Sequence, residues 1–131
     1  MNFKDLLKNY ELDITITREN VFEKLYLVPV LHGKYHKYLY QWRRLLLKIE
    51  QEKIEKYREK YYYYKDDFDR TLDEKQIKWH IETDEEYVSI NQRYLNIKNE
   101  VDQIEQMVKH CGNLSFFCQN IISWEAFLSG R

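Results

Sequence analysis

The chain has 131 residues, with 21 cationic against 22 anionic side chains and 16% aromatic residues, twelve of them Tyr. That length suits one domain with a modest core, and the near-neutral sum of charge names no partner. With only three Gly and one Pro, turns are too scarce for an all-β sandwich or barrel. Gly33, Gly112 and Gly130 stand too far apart to build G-x-x-x-x-G-K-[ST] or G-x-G-x-x-G, which argues against a nucleotide-binding fold.

Residues 2–11 predict a turn or two of amphipathic helix with Phe3, Leu6, Leu7 and Tyr10 on one side. In the following LDITIT, Leu12, Ile14 and Ile16 alternate with Asp13, Thr15 and Thr17, the period of a half-buried strand. Thr17 then makes a helix start, followed by Val21, Phe22, Leu25, Val28 and Leu31 at helical spacing. Pro29 and Gly33 predict a kink or break between about residues 28 and 34. From Lys34 to about Tyr64 the apolar positions keep a spacing of three and four, with one slip near residue 52.

Residues 66–76 read as an acidic connector. In IKWHIE, Ile77, Trp79 and Ile81 alternate with Lys78, His80 and Glu82. This predicts a second short strand, pairing with the first within one protomer or between neighbours. Thr83 followed by Asp84, Glu85 and Glu86 fits a capping box with an acidic first turn. Ile90, Tyr94, Ile97, Val101, Ile104, Val108 and Cys111 then form a heptad seam that extends through Ser115, Cys118 and Ile122. Phe116, Phe117, Ile121, Trp124, Phe127 and Leu128 widen the apolar surface beyond one stripe, while Gly112-Asn113 invites a bend or break. The expected fold is therefore mainly α, with long helices, a heptad-like C-terminal helix and a possible two-stranded β element. It is read as a single domain: residues 1–65 carry the first strand and the basic aromatic helices, 66–76 the connector, and 77–131 the second strand and the C-terminal oligomerisation helix or helices.

Cys111 and Cys118 are seven residues apart in an expected helix, about 10 Å along its axis, too far for a mutual disulfide. They read as small buried apolar residues. No signal-peptide layout and no apolar run of membrane-spanning length occurs, so a soluble protein in a reducing compartment is expected, without a membrane partner. His32 and His36 sit four apart, as a metal pair would, but no third ligand follows in reach, so no metal or cofactor is expected. Neither His80, His110 nor either cysteine has neighbours suggesting a nucleophile or general base, and no enzymatic activity is expected.

Charge is distributed unevenly. Residues 34–65 carry ten Lys/Arg against four Glu, a net of +6, and residues 66–106 carry five against twelve, a net of −7. Within the basic segment, KIEKYREKYYYYK interleaves Lys53, Lys56, Arg58, Lys60 and Lys65 with Tyr57 and Tyr61 to Tyr64. Such a pattern supplies cations for phosphates and π-faces for unpaired bases. The alternative is a Tyr-rich helix packed against another protomer with its lysines in water, as in a helical scaffold or adaptor that binds protein only.

Three stretches resemble the UvsY-type recombination mediators of T-even-like bacteriophages. They are Leu31-x-x-Lys34-aromatic leading to Leu47-Lys48-Ile49-Glu50, then Arg58-x-Lys60 followed by Tyr63-Tyr64, and finally Phe116 to Arg131 with Phe116, Ile121, Ala126, Phe127, Gly130 and a terminal cation. The resemblance implies a non-catalytic accessory factor of phage recombination, acting in the cytoplasm of the infected host as a ring-like homo-oligomer. It implies partners in single-stranded DNA, a RecA-like phage recombinase and the phage single-strand binding protein, which the recombinase replaces on the strand. It further implies that Arg58 and Lys60 contact DNA and that Phe117, Ile121, Trp124 and Phe127 belong to the assembly region. Lys53, Lys56, Lys65, Tyr63 and Tyr64 join the DNA-binding set, and Ile122 the oligomerisation set, from the patterns above. Tyr61 and Tyr62 ahead of the Tyr pair depart from the family, so whether these rings stack on bases or fill an interface stays open.

Overall fold

The computed structural model describes residues 1–130, and among them every regular element is helical. The elements are α1 (Phe3–Ile14), α2 (Val21–Tyr62), a wider π-helical turn (Tyr63–Asp67), α3 (Glu74–Thr83) and α4 (Glu85–Leu128). The terminal cation of the family resemblance, Arg131, lies outside the described residues. The chain divides into two compact units, one of Met1–Gln41 with the segment from Asp102 onward, the other of Trp42–Val101. Helices α2 and α4 therefore contribute a part to each.

The first unit buries Leu6, Val21, Val28, Leu31, Tyr35 and Leu39 with Ile104, Met107, Val108, Cys111, Leu114 and Cys118. The heptad reading of α4 holds here: Ile104, Cys111 and Cys118 are completely buried. Burial also pushes the Cys111 thiol up to about 11 and raises that of Cys118, as inert packing residues require. Both α2 and α4 pass through their glycines without a break, and α2 also passes through Pro29, which lies at an exposed position. The proline costs one backbone hydrogen bond there, and the buried residues on either side of it, Val28 and Leu31, hold the helix together.

The strand expected over residues 12–17 does not form. Residues up to Ile14 belong to α1, and Leu12 is 73% exposed, which a half-buried strand would not allow. What ends this segment as a helix comes from far along the chain. The Lys24 ammonium donates to the terminal carbonyls of Leu12 and Asp13 at 3.3 and 2.9 Å. The Asp13 carboxylate accepts from Lys34 Nζ at 2.7 Å and from the Tyr35 hydroxyl at 2.8 Å. Thr15 Oγ1 donates back to the Glu11 carbonyl at 2.6 Å. Thr17 and Asn20 then exchange hydrogen bonds, Thr17 N–H to Asn20 Oδ1 at 2.7 Å and Asn20 N–H to Thr17 Oγ1 at 3.2 Å, closing a turn ahead of α2. The helix itself starts at Val21, later than the expected start at Thr17, with the Asn20 carbonyl accepting from Lys24 N–H at 2.9 Å.

In the second unit the IKWHIE segment is also helical, so the proposed strand pair has neither member. Asp73 and Gln76 form a reciprocal capping box, Gln76 N–H to Asp73 Oδ1 at 2.8 Å and Asp73 N–H to Gln76 Oε1 at 2.9 Å. Ile77 and Ile81, four apart, are buried on one side of α3, whereas Trp79 is 61% exposed; a strand would have set all three on one face. The two isoleucines pack with buried Tyr64, and Tyr61, Phe68, Leu72 and Tyr87 close around them. The start of α4 shifts by one residue from expectation. Asp84, not Thr83, caps it, its Oδ1 accepting from the N–H groups of Glu86 and Tyr87 at 3.0 and 3.2 Å. Thr83 instead turns its hydroxyl back to the Trp79 carbonyl at 2.9 Å.

Candidate nucleic-acid interface

The inward-facing stripe of α2 in the second unit runs through buried Trp42 and Ile49 and half-buried Lys53, Lys56 and Lys60, and continues to Tyr64 in the π-helical turn, at intervals of three and four after Ile49. Three of the cations proposed for DNA therefore lie on the inner side of the helix. Lys53 Nζ stands 4.4 Å from the centroid of the Tyr94 ring, a cation–π contact. Lys56 Nζ pairs with Glu59 at 3.1 Å and Glu86 at 3.2 Å. Lys60 Nζ pairs with Glu86 at 3.2 Å and Asp84 at 3.4 Å, and only 15% of its side chain is exposed.

These pairs shift the titration of their members. The Glu59 and Glu86 carboxylates raise the Lys56 ammonium, while for Lys60 burial acts downward and is outweighed by Glu86 and Asp84. Burial would raise the Asp84 carboxyl, but hydrogen bonds from the Tyr64 hydroxyl and the Tyr87 backbone, with Lys60 nearby, hold it below the usual range. Glu86 is lowered by Lys56 and Lys60. Tyr64 donates to Asp84 Oδ2 at 2.8 Å, and its hydroxyl is pushed up to about 12 by burial and by that bond.

The remaining cations face water. Arg58 and Lys65 are exposed, and Tyr62, at 54% exposure, falls between them at a spacing of four and three. Arg58 makes no ion pair among the described residues, and the Lys65 ammonium lies 5.6 Å from the Tyr61 ring centroid. Tyr63 is 45% exposed and meets Tyr64 and Phe68 edge-on. The four tyrosines thus divide. Tyr64 is core, Tyr61 is tied to Glu74 through its hydroxyl at 2.9 Å, and Tyr62 and Tyr63 present rings to solvent. Sequence reasoning left Tyr62 out of the candidate set; its place one turn after Arg58 is the signal that could have found it.

The proposed oligomerisation residues all lie on the last turns of α4. Phe117, Trp124 and Phe127 are exposed, with Trp124 and Phe127 stacked on each other at 5.5 Å, and Ile121 and Ile122 are half-buried. Phe116 and Leu128 extend this apolar surface. The His32 and His36 rings meet edge-on at 4.6 Å, and no group of three or more His, Cys, Asp or Glu side chains able to hold a metal occurs among the described residues. No helix of the described residues is long and apolar enough to cross a membrane.

Comparison with known families places the chain in a recombination, repair and single-stranded DNA-binding class. The family model described as "Recombination, repair and ssDNA binding protein UvsY" matches residues 9–131, and the chain belongs to this bacteriophage UvsY family. Two crystal structures of the bacteriophage T4 recombination mediator protein UvsY, from different lattice types, share the fold. Each has a TM-score of 0.85 at 16% identity and is covered over 98% of its own chain, against 97% and 98% of this one. No curated protein sequence matches the chain significantly.

Proposed function

We propose that this chain is a recombination mediator that binds single-stranded DNA with the end of α2 and promotes loading of a RecA-like recombinase in place of the phage single-strand binding protein. The observation that carries this reading is the exposed row Arg58, Tyr62 and Lys65 in a chain of the UvsY family. Cations at that spacing engage successive phosphates, and the ring between them offers a face to an unpaired base without regard to sequence. Lys60, Lys56 and Lys53 support the row from within, by fixing the helix that carries it.

The apolar end of α4, with Phe117, Ile121, Ile122, Trp124 and Phe127, supports assembly into a ring-like homo-oligomer. A ring repeats the DNA site around an axis, so weak contacts by each protomer add up through avidity. Such a protein works in the cytoplasm of the infected host, without catalysis of its own.

Fluorescence-anisotropy titration of labelled oligo-dT, at two salt concentrations and equal oligomer mass, tests the reading. The wild type is expected to bind, and Arg58→Ala to bind more weakly with a salt slope shallower by about one per site. Absence of wild-type binding at low salt overturns it in favour of a helical scaffold that binds protein only.

A further inference from the structure

Trp79 has no part in the core and none in the basic row of α2. It projects from α3 opposite Ile77 and Ile81 and leaves 61% of its surface exposed. Beside it the connector and the first turns of α3 form a groove of about 390 Å³, lined by Arg70, Leu72, Lys75, Gln76, Trp79 and His80 among others. The charged side chains along this groove are both cations; no carboxylate lines it among the described residues. Gln76 is already committed to the helix cap, and Arg70 lies over the Phe68 ring at 5.8 Å. A series of ring contacts, passing through the buried Tyr64, links the groove to the end of α2. Tyr63 meets Tyr64 at 5.0 Å, Tyr64 stacks on His80 at 5.1 Å, and His80 meets Trp79 edge-on at 5.2 Å.

An exposed indole beside two cations has the chemistry of a site for an unpaired base and its phosphate. We infer that the groove at Trp79 is a second contact for single-stranded nucleic acid, in which a base stacks on the Trp79 ring while Arg70 and Lys75 hold the neighbouring phosphate. This rests on the reading that the chain binds single-stranded DNA and extends the bound strand from the row at Arg58 past Tyr63 onto α3. The two contacts differ in kind. Arg58 acts mainly through charge, and Trp79 through the face of a ring, which salt does not screen.

The difference sets the test, made on the full chain with oligo-dT and with an abasic oligonucleotide of the same length, for wild type, Trp79→Ala and Trp79→Phe. Trp79→Ala is expected to weaken oligo-dT binding by about fivefold or more, with an unchanged salt slope and no loss on the abasic strand. Trp79→Phe, which keeps a π-face, is expected to recover most of the loss. Equal loss on both strands, or wild-type affinity in Trp79→Ala, overturns the inference while leaving the row at Arg58 standing. A fall in oligomer mass by sedimentation for Trp79→Ala also overturns it, because the indole then belongs to a contact between copies. Failure of the wild type to bind either strand removes the parent reading and this one with it.

Discussion

Helix α2 keeps one period along its length but changes the chemistry of its inner side. In the first unit that side carries Val28, Leu31, Tyr35 and Leu39, all nearly or fully buried. In the second it carries Trp42 and Ile49 and then turns to Lys53, Lys56 and Lys60, answered by Tyr94, Asp84 and Glu86 of α4 and its cap. The first arrangement gains its stability from area removed from water, the second from charges held close together at the start of a helix. The lesson is that a helix meant to present cations can also use cations to dock itself, and the two roles must be separated residue by residue.

The largest effect expected from this contrast is in the apolar unit. Ile104→Ala deletes a fully buried side chain and is expected to cost about 2–5 kcal/mol in denaturant unfolding, nearly independent of salt. A loss well under that, or one that salt abolishes, breaks the comparison at its stronger end.

Next in size is Tyr64→Phe in the second unit. The variant keeps the ring against Ile77 and Ile81 but removes the hydroxyl that donates to Asp84, a hydrogen bond to a charged group worth about 1.5–3 kcal/mol. Acidification probes the same cluster. Asp84 and Glu86 have folded values below their ordinary ones, so their contribution is complete above the ordinary carboxylate value of about 4 and is lost as pH falls through the lower folded values. Thermal unfolding from pH 7 to pH 3 should therefore show a decline that begins near pH 4. In Tyr64→Phe the decline should be smaller, since one of the bonds that lowers Asp84 has gone.

A finer cut separates Lys60 from Arg58. Lys60→Ala removes a pair that keeps partial access to water, and is expected to lower stability by about 1 kcal/mol. Arg58→Ala, at an exposed position, is expected to change stability by no more than about 0.5 kcal/mol while reducing DNA affinity. If the two variants lose DNA binding equally and neither loses stability, the inner lysine is as much a strand contact as the outer arginine.

How far the sequence was legible follows the same division. The heptad spacing of α4 is a local periodicity and appears as read, whereas the helix expected to resume at Lys34 is part of one unbroken helix from Val21, with Ile54 and Tyr57 exposed and Lys53 and Lys56 on the inner side in their place. The two strands failed because alternation over six residues is weak against tertiary contacts. Leu12 and Asp13 are settled by Lys24, Lys34 and Tyr35, which lie 11 to 22 positions away. Over Ile77 to Glu82 a local helix signal does precede the alternation, since Asp73-x-x-Gln76 is a capping box within the acidic connector. In the basic segment, composition pointed to the right residue types but could not tell Lys60 from Arg58. Which lysine turns inward depends on where Asp84 and Glu86 fall, and that requires α3 to return the chain to α2.

Glu86 offers the smallest and most specific test. Its carboxylate is 62% exposed yet holds both Lys56 and Lys60, while Asp84, more buried, remains to cap α4. Glu86→Gln therefore keeps the helix start and the Tyr64 bond but removes one negative charge from beside two ammonium groups. Stability should fall slightly, and only at low salt, because an exposed pair is readily screened. DNA affinity should move the other way. With Glu86 neutral, Lys56 and Lys60 add more positive potential to the strand path, so oligo-dT binding is expected to tighten a few-fold at low salt, with a steeper salt slope. Weaker binding in this variant would mean that the ion pairs act only by holding α2 in place, and the inner lysines would then belong wholly to the scaffold.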